Sequence, residues 1–196
     1  MMDIDGFQIA CAADLAQIAS MVNLAYRPES GSSAWTHESD LIDGCRTNSD
    51  YLAELISKSD STIITALRNN SLAGCIHIER EGRNCHLGLF AVHPKFQEKG
   101  IGKQLLEYAE QFSLKQYHPE KLVMTVLSAR LELIEFYLRR GYRRTGVFGN
   151  YPLSAGIGTP KLHGLKIETL EKQSTFSTVN LLCIQTNSIK DTYEQN

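Results

Sequence analysis

Residues 86–102 read His-Leu-Gly-Leu-Phe-Ala-Val-His-Pro-Lys-Phe-Gln-Glu-Lys-Gly-Ile-Gly, and the last six, Gln97 to Gly102, carry the most information in the chain. Ahead of them, His86 to Val92 is an apolar, strand-like run. Behind them, Ile101 to Gln116 repeats its apolar residues at the spacing of an amphipathic helix. Two glycines just ahead of a helix let the backbone turn sharply with no Cβ in the way. The turn leaves several N–H groups pointing outward at the positive end of the helix dipole. Such a nest suits a diphosphate, and Lys99 and Lys103 add mobile positive charge beside it. A strand feeding a phosphate-cradling helix start narrows the ligand to nucleotide-bearing molecules, of which coenzyme A is one.

The bulk properties are those of an ordinary soluble domain. The chain has 196 residues, within the usual span of about 100–200 residues for one domain with a real core. Its net charge of −2 supplies no basic field for nucleic acid or an anionic membrane. The longest apolar runs fall well short of the ~20 residues that span a bilayer. Met1 to Phe7 contains Asp3 and Asp5 and lacks the basic start and apolar stretch of a secretory signal. The five cysteines (Cys11, Cys45, Cys75, Cys85, Cys183) are scattered, and no pair has the C-x-x-C spacing of a zinc or redox site. Reduced thiols in a cytoplasmic protein with no metal site are expected, and the oligomeric state is left at monomer or homodimer.

Periodicity and turn residues give the remaining elements. Phe7 to Ala10 reads as a short strand. Asp14 to Tyr26 is an amphipathic helix with Leu15, Ile18, Ala19, Val22 and Ala25 on one face. Arg27 to Thr36 is a loop rich in Pro, Ser and Gly. Helical fragments are expected over Glu38 to Cys45 and Asp50 to Lys58. Thr62 to Arg68 and Leu72 to Glu79 form a hairpin around Asn69-Asn70-Ser71. Glu81-Gly82-Arg83-Asn84 turns into the strand Cys85 to Val92. After the glycine turn and its helix come a strand over Leu122 to Leu127 and a helix over Ala129 to Arg140, with Gly141 as C-cap. Further strands are expected over Tyr142 to Phe148 and Lys161 to Leu170. The result is an α/β (α+β) fold, an antiparallel meander leading into a β-α-β crossover. The tail 173–196 is polar apart from Val179 to Ile184 and is read as an added strand, a partner contact or a disordered extension.

Leu89-x-Ala91-Val92-His93-Pro94-x-Phe96-Gln97-x-Lys99-Gly100-Ile101-Gly102-x-x-Leu105-Leu106 resembles the acyl-CoA-binding motif of the GNAT N-acetyltransferase superfamily. A second block is similar to the L-Y-x-K-x-G-F segment of that family: Ala129 to Tyr142, with Glu135-Phe136-Tyr137 and Arg139-Arg140-Gly141-Tyr142. Trp35-Thr36-x-Glu38-x-x-Leu41-x-x-Gly44-x-Arg46 looks like a bacterial and fungal branch with poorly defined acceptors. The resemblance covers roughly residues 7 to 170. It implies a mixed, mostly antiparallel central sheet of six to seven strands flanked by about four helices. It also places a GNAT acyltransferase domain over 1–172, with 173–196 as an extension of unassigned role. The implied reaction is transfer of an acetyl group from acetyl-CoA to a primary amine, on a small molecule or a peptide, by direct attack in a ternary complex.

Such a reaction needs a proton acceptor for the amine, a donor aimed at the oxyanion and a proton for the leaving thiolate. The resemblance assigns phosphate binding to the N–H groups of Gln97, Glu98, Lys99, Gly100, Ile101 and Gly102, with Lys103 at the rim. It lays the pantetheine arm along the strand edge at Phe90, Ala91 and Val92, opened by a bulge near Leu89-Phe90. Tyr137 is similar to the general acid of the family; the plainer reading is a core aromatic. Arg130 stands where many relatives carry an Asn that contacts the cofactor, and it either pairs with a CoA phosphate or simply starts the helix. His86, six residues before Val92, matches the position of a Glu or His base, with Glu79 in reserve and a surface histidine as the plainer reading. By strand parity His86, Gly88 and Phe90 are expected on one face. Tyr26, Trp35, Glu38 and Arg46 are expected to contact the acceptor, Glu38 suiting an ammonium and Arg46 a carboxylate; both also make sense as ordinary cap and surface charges. The alternatives are a catalytically silent CoA-binding sensor or partner module, and a nucleotide-binding protein unrelated to CoA.

Overall fold

Asn69 and Asn70 adopt φ values of 49° and 55°, the left-handed pair that a tight hairpin demands and that Asn tolerates better than most residues. This turn joins two long antiparallel strands in a computed structural model that describes residues 4–28 and 37–174. Within those residues the strands are β1 (Gly6–Ile9), β2 (Ile42–Asp43), β3 (Ser61–Arg68), β4 (Ser71–Glu81), β5 (Asn84–Val92), β6 (Lys121–Leu127), β7 (Arg143–Asn150), β8 (Thr159–Pro160) and β9 (Lys166–Gln173). The α-helices are α1 (Leu15–Tyr26), α2 (Ser49–Ser57), α3 (Ile101–Tyr117) and α4 (Leu131–Leu138).

Seven strands form one sheet in the order β1-β3-β4-β5-β6-β9-β7, and β2 pairs with β8 in a separate small ribbon. Only the β5–β6 pairing is parallel; the other pairings are antiparallel. The architecture is therefore the mixed, mostly antiparallel α/β fold expected from the sequence. Two apolar layers sandwich the sheet. On one face Leu105, Leu106 and Ala109 of α3 and Ile134 of α4 pack on Ile64, Ile76, Ile78 and Leu122. On the other, Leu15, Ile18, Val22 and Ala25 of α1 and Leu52 of α2 pack on Ile63, Cys75, Leu89 and Ala91. The helical faces of α1 and α3 are the ones their periodicity marks.

Two expectations fail here. The segment Glu38 to Cys45 is not a helix: it makes a turn and then β2, paired with β8. Ile42 is needed in a small core with Leu127 and Tyr151, and Gly44 at φ 83° breaks the helical path. The last strand begins at Lys166 rather than Lys161 and inserts between β6 and β7, so β7 lies at the sheet edge. Trp35 and the segment Val179 to Ile184 lie outside the described residues.

Candidate active site

β5 is the strand on which the site depends. Its register against β4 runs His77 opposite Gly88 and then Cys75 opposite Ala91, so β5 carries one extra residue there. Leu89 absorbs it at φ 46°, a costly conformation for a γ-branched apolar residue. The bulge reverses the faces. Leu87 packs in the α3-side core, whereas Leu89, two residues on, packs in the α1-side core. Phe90 accordingly packs toward α3 and α4, with its ring centroid 6.3 Å from those of Phe136 and Tyr137. The expectation that His86, Gly88 and Phe90 share a face is overturned, because parity does not survive an inserted residue.

On its other side β5 pairs with β6 only over Asn84 to His86. Beyond that the two strands part. His93 N–H donates to Ala73 O on β4. Backbone groups alternate sides along a strand, so those of Phe90 and Val92 face the gap. Their carbonyls are already taken. Tyr26 Oη donates to Phe90 O at 2.7 Å, and Gln97 Nε2 donates to Val92 O at 2.9 Å. The edge thus offers donors to whatever lies in the gap.

Two cavities occupy the gap. The first, about 300 Å³, is lined by Tyr26, Phe90 and Val92, by Gln97, Glu98, Gly100, Gly102 and Lys103 of the glycine turn, and by Leu133, Phe136 and Arg140. The second, about 270 Å³, is lined among others by Tyr26, Glu38, Arg46, His77, Glu79, His86, Gly88, Phe90, Thr125, Leu133, Tyr137 and Tyr151. Tyr26, Phe90 and Leu133 belong to both walls, so the two form one cleft crossing the splayed strands.

At the glycine turn Gln97 N–H bonds Pro94 O and Gln104 N–H bonds Gly100 O. The amides from Glu98 to Lys103 lie between these two bonds, and Glu98, Gly100, Gly102 and Lys103 border the first cavity. Glu98 at φ 60° and Gly100 at φ 84° curl the backbone, and a Cβ at Gly102 would meet only Val92 Cγ2 at 3.4 Å and Phe90 Cζ at 3.6 Å. Donors at a helix start beside open space suit the diphosphate of acetyl-CoA. Ile101 and Ala91 are buried in the core, so only their backbones can serve the cleft.

Several expected groups are held elsewhere. Lys99 Nζ bonds Lys95 O at 2.7 Å and sits 5.9 Å from the Phe96 ring centroid, turned back over its own loop. Arg130 is 6% exposed. It donates to His37 O at 2.9 Å, pairs with Glu132 and stands 4.0 Å from Glu38, so it is drawn to the Glu38 side and away from the glycine turn. Glu38 is itself buried and bonded to Arg27 Nη1 at 2.9 Å. With two guanidinium groups beside it, its charge is already committed, against the expectation of a free ammonium site.

Tyr137, His86, Glu79 and Arg46 do meet in the second cavity. Tyr137 is 4% exposed, and burial, followed by the neighbouring Tyr26, raises its phenol well above the ordinary range. It stays protonated at neutral pH. Burial likewise pushes Tyr26 up to about 12. His86 and Glu79 are directly opposed across β4 and β5; Glu79 is bonded to Lys58 at 2.9 Å and His86 Nε2 is 3.3 Å from Glu81.

Sequence reading gives the basic run Arg139, Arg140, Arg143 and Arg144 to a helix C-terminus and solvent, with a contact to a CoA phosphate as the alternative, and it misses His77. Arg140 lines the first cavity with its guanidinium 3.4 Å from the Phe136 ring centroid, and its position in a basic run gave no sign which arginine turns inward. His77 is buried on β4, bonded to Ser61 Oγ at 2.7 Å, and burial lowers it to about 4. Its adjacency to the bulge follows from register alone.

A family model described as an acetyltransferase (GNAT) domain matches residues 44–150, more than half of the chain. The chain belongs to the GNAT acetyltransferase family. It is 28% identical over 82 residues to the uncharacterized protein YdhI of Bacillus subtilis, a stretch covering 42% of this chain and 49% of that relative. A probable acetyltransferase from Staphylococcus epidermidis superposes with a TM-score of 0.65 at 11% identity, over 87% of this chain and 99% of the other. The ribosomal-protein-S18-alanine N-acetyltransferase of Escherichia coli superposes at 0.62 and 15% identity, over 86% and 92%. The superpositions show the fold, and the family that the model match shows generally uses acetyl-CoA. Among the described residues no helix is long and apolar enough to cross a membrane, and no cluster of His, Cys, Asp and Glu could hold a metal.

Proposed function

We propose that this chain transfers an acetyl group from acetyl-CoA to a primary amine by direct attack within a ternary complex. The observation that carries this reading is the unpaired edge of β5, whose N–H groups run from the glycine turn to the cavity holding Tyr137. The amides of Glu98 to Lys103 hold the diphosphate, with Lys103 and Arg140 at the rim. Phe90 and Val92 hold the pantetheine as an added strand is held. Acetyl-CoA supplies an activated thioester carbonyl.

His86 takes the proton from the acceptor ammonium, directly or through water, with Glu79 across the strand as the alternative base. The freed amine nitrogen bonds to the carbonyl carbon, the main-chain N–H of Phe90 steadies the oxyanion, and the C–S bond breaks. Tyr137 gives its proton to the departing thiolate and takes back the second proton that the nitrogen sheds as the amide forms. Tyr26 and Arg46 border the acceptor.

The test is calorimetric titration of acetyl-CoA, ATP and NAD, followed by thiol release with a broad amine panel. Selective acetyl-CoA binding with amine-dependent thiol release supports the reading. Binding without turnover of any amine indicates a silent CoA-binding module, and no preference for acetyl-CoA removes the cofactor assignment.

A further inference from the structure

We propose that the acceptor is a free amino acid, and that Arg46 receives its carboxylate while its amine faces the acyl group. This rests on the transferase reading above and names its substrate class.

The charges around the second cavity are nearly all spoken for. Glu38 is bonded to Arg27 and flanked by Arg130. Glu79 is bonded to Lys58, and His86 lies against Glu81. Arg46 differs. Among the described residues no carboxylate lies within ion-pair distance of its guanidinium, which stands 5.4 Å from the Tyr26 ring centroid. The Tyr26 hydroxyl is in turn committed to Phe90 O.

Arg46 is also placed with care. Asn23 on α1 accepts the Arg46 N–H at 2.7 Å and the Thr47 N–H at 3.2 Å, and its amide donates to Thr47 O at 2.9 Å. Three hydrogen bonds to one half-buried side chain fix the backbone from which the guanidinium reaches the cavity wall. A half-buried guanidinium keeps most of its desolvation cost until an anion meets its planar fork. A carboxylate is the matching shape, bound through two parallel hydrogen bonds. The phosphates of CoA do not compete for it, because the glycine turn lines the first cavity and Arg46 lines only the second. A space of about 270 Å³ suits a small molecule with both groups on one carbon skeleton.

The experiment compares matched pairs. L-amino acids and their carboxamides are assayed with acetyl-CoA by thiol release, on the wild-type chain and on Arg46→Gln and Arg46→Lys, with acetyl-CoA binding measured for each. At least one acid should show kcat/KM about tenfold or more above its amide. In R46Q that ratio should collapse toward one through a higher KM, and R46K should restore part of it, while acetyl-CoA affinity stays level. Amides used as well as acids, a ratio that survives in R46Q, or no acid turned over although acetyl-CoA binds would each overturn the proposal and leave the transferase reading standing. Failure of acetyl-CoA to bind the wild-type chain removes both. The wild-type pairs decide the matter even where a variant does not fold.

Discussion

The Tyr26 hydroxyl donates to the main-chain oxygen of Phe90 at 2.7 Å, across 64 positions of sequence. It ties the last turn of α1 to the residue that follows the β5 bulge. Both residues border both cavities, so this single bond braces the wall between the cofactor and acceptor sides. Leu89 at a left-handed φ keeps its strained backbone only because such neighbours hold it.

Tyr26→Phe keeps the ring under Arg46 and removes the donor. A half-buried carbonyl left without its partner costs roughly 1 kcal/mol. Urea unfolding should show a lower midpoint with an unchanged slope, and KM for acetyl-CoA should rise. An unaltered midpoint and KM would remove the bond from any supporting role.

The two glycines should respond differently to alanine. Gly100 sits at φ 84°, where a Cβ costs about 1 kcal/mol or more, so G100A should lose stability and acetyl-CoA affinity together. Gly102 lies in the first turn of α3, and its added Cβ would find ordinary contacts. G102A should melt at or slightly above the wild-type temperature, since Ala is the better helix former by about 1 kcal/mol, yet bind acetyl-CoA more weakly because the methyl enters the cavity wall. Binding that survives both changes would remove the phosphate cradle from this turn.

Tyr137→Phe should lower turnover by about a hundredfold, the usual scale of a lost proton donor, while the acetyl-CoA dissociation constant stays within about twofold. His86→Gln should likewise lower kcat. If Glu79→Gln carries that loss instead, the base sits on β4 rather than β5. Unchanged turnover in Tyr137→Phe strikes that residue from the chemistry and leaves it a core aromatic.

His77 makes stability depend on pH. Burial lowers it to about 4 from an ordinary value near 6.5. Above pH 6.5 the folded and unfolded chains are both neutral there, and the contribution is intact. Between pH 6.5 and 4 the unfolded chain takes up a proton that the folded one refuses, so stability falls as pH falls, by up to about 3 kcal/mol. His77→Gln retains a partner for Ser61 and should flatten this part of the stability-against-pH curve in urea titrations. Parallel curves for the two proteins would contradict the assignment.

Local chemistry alone determined much of this protein. The turn at Asn69-Asn70, Gly100 ahead of α3, Gly141 after α4 at φ 87°, and the buried faces of α1 and α3 follow from backbone sterics and from apolar spacing within one element. So did the family resemblance, because the glycine turn and its flanking strand and helix are contiguous. What required the folded chain was every property set by a partner far along it. One inserted residue at Leu89 turned Phe90 to the opposite face. Ile42 left a helical pattern to fill a core beneath β8. Lys99 folded back over Phe96, Arg130 went to Glu38, and Arg140 and His77 entered the cleft. A side chain's charge and size are written in its own residue, but its counter-ion, its solvent exposure and the cavity it meets belong to the register of distant strands, and those decide which charge is left for a ligand.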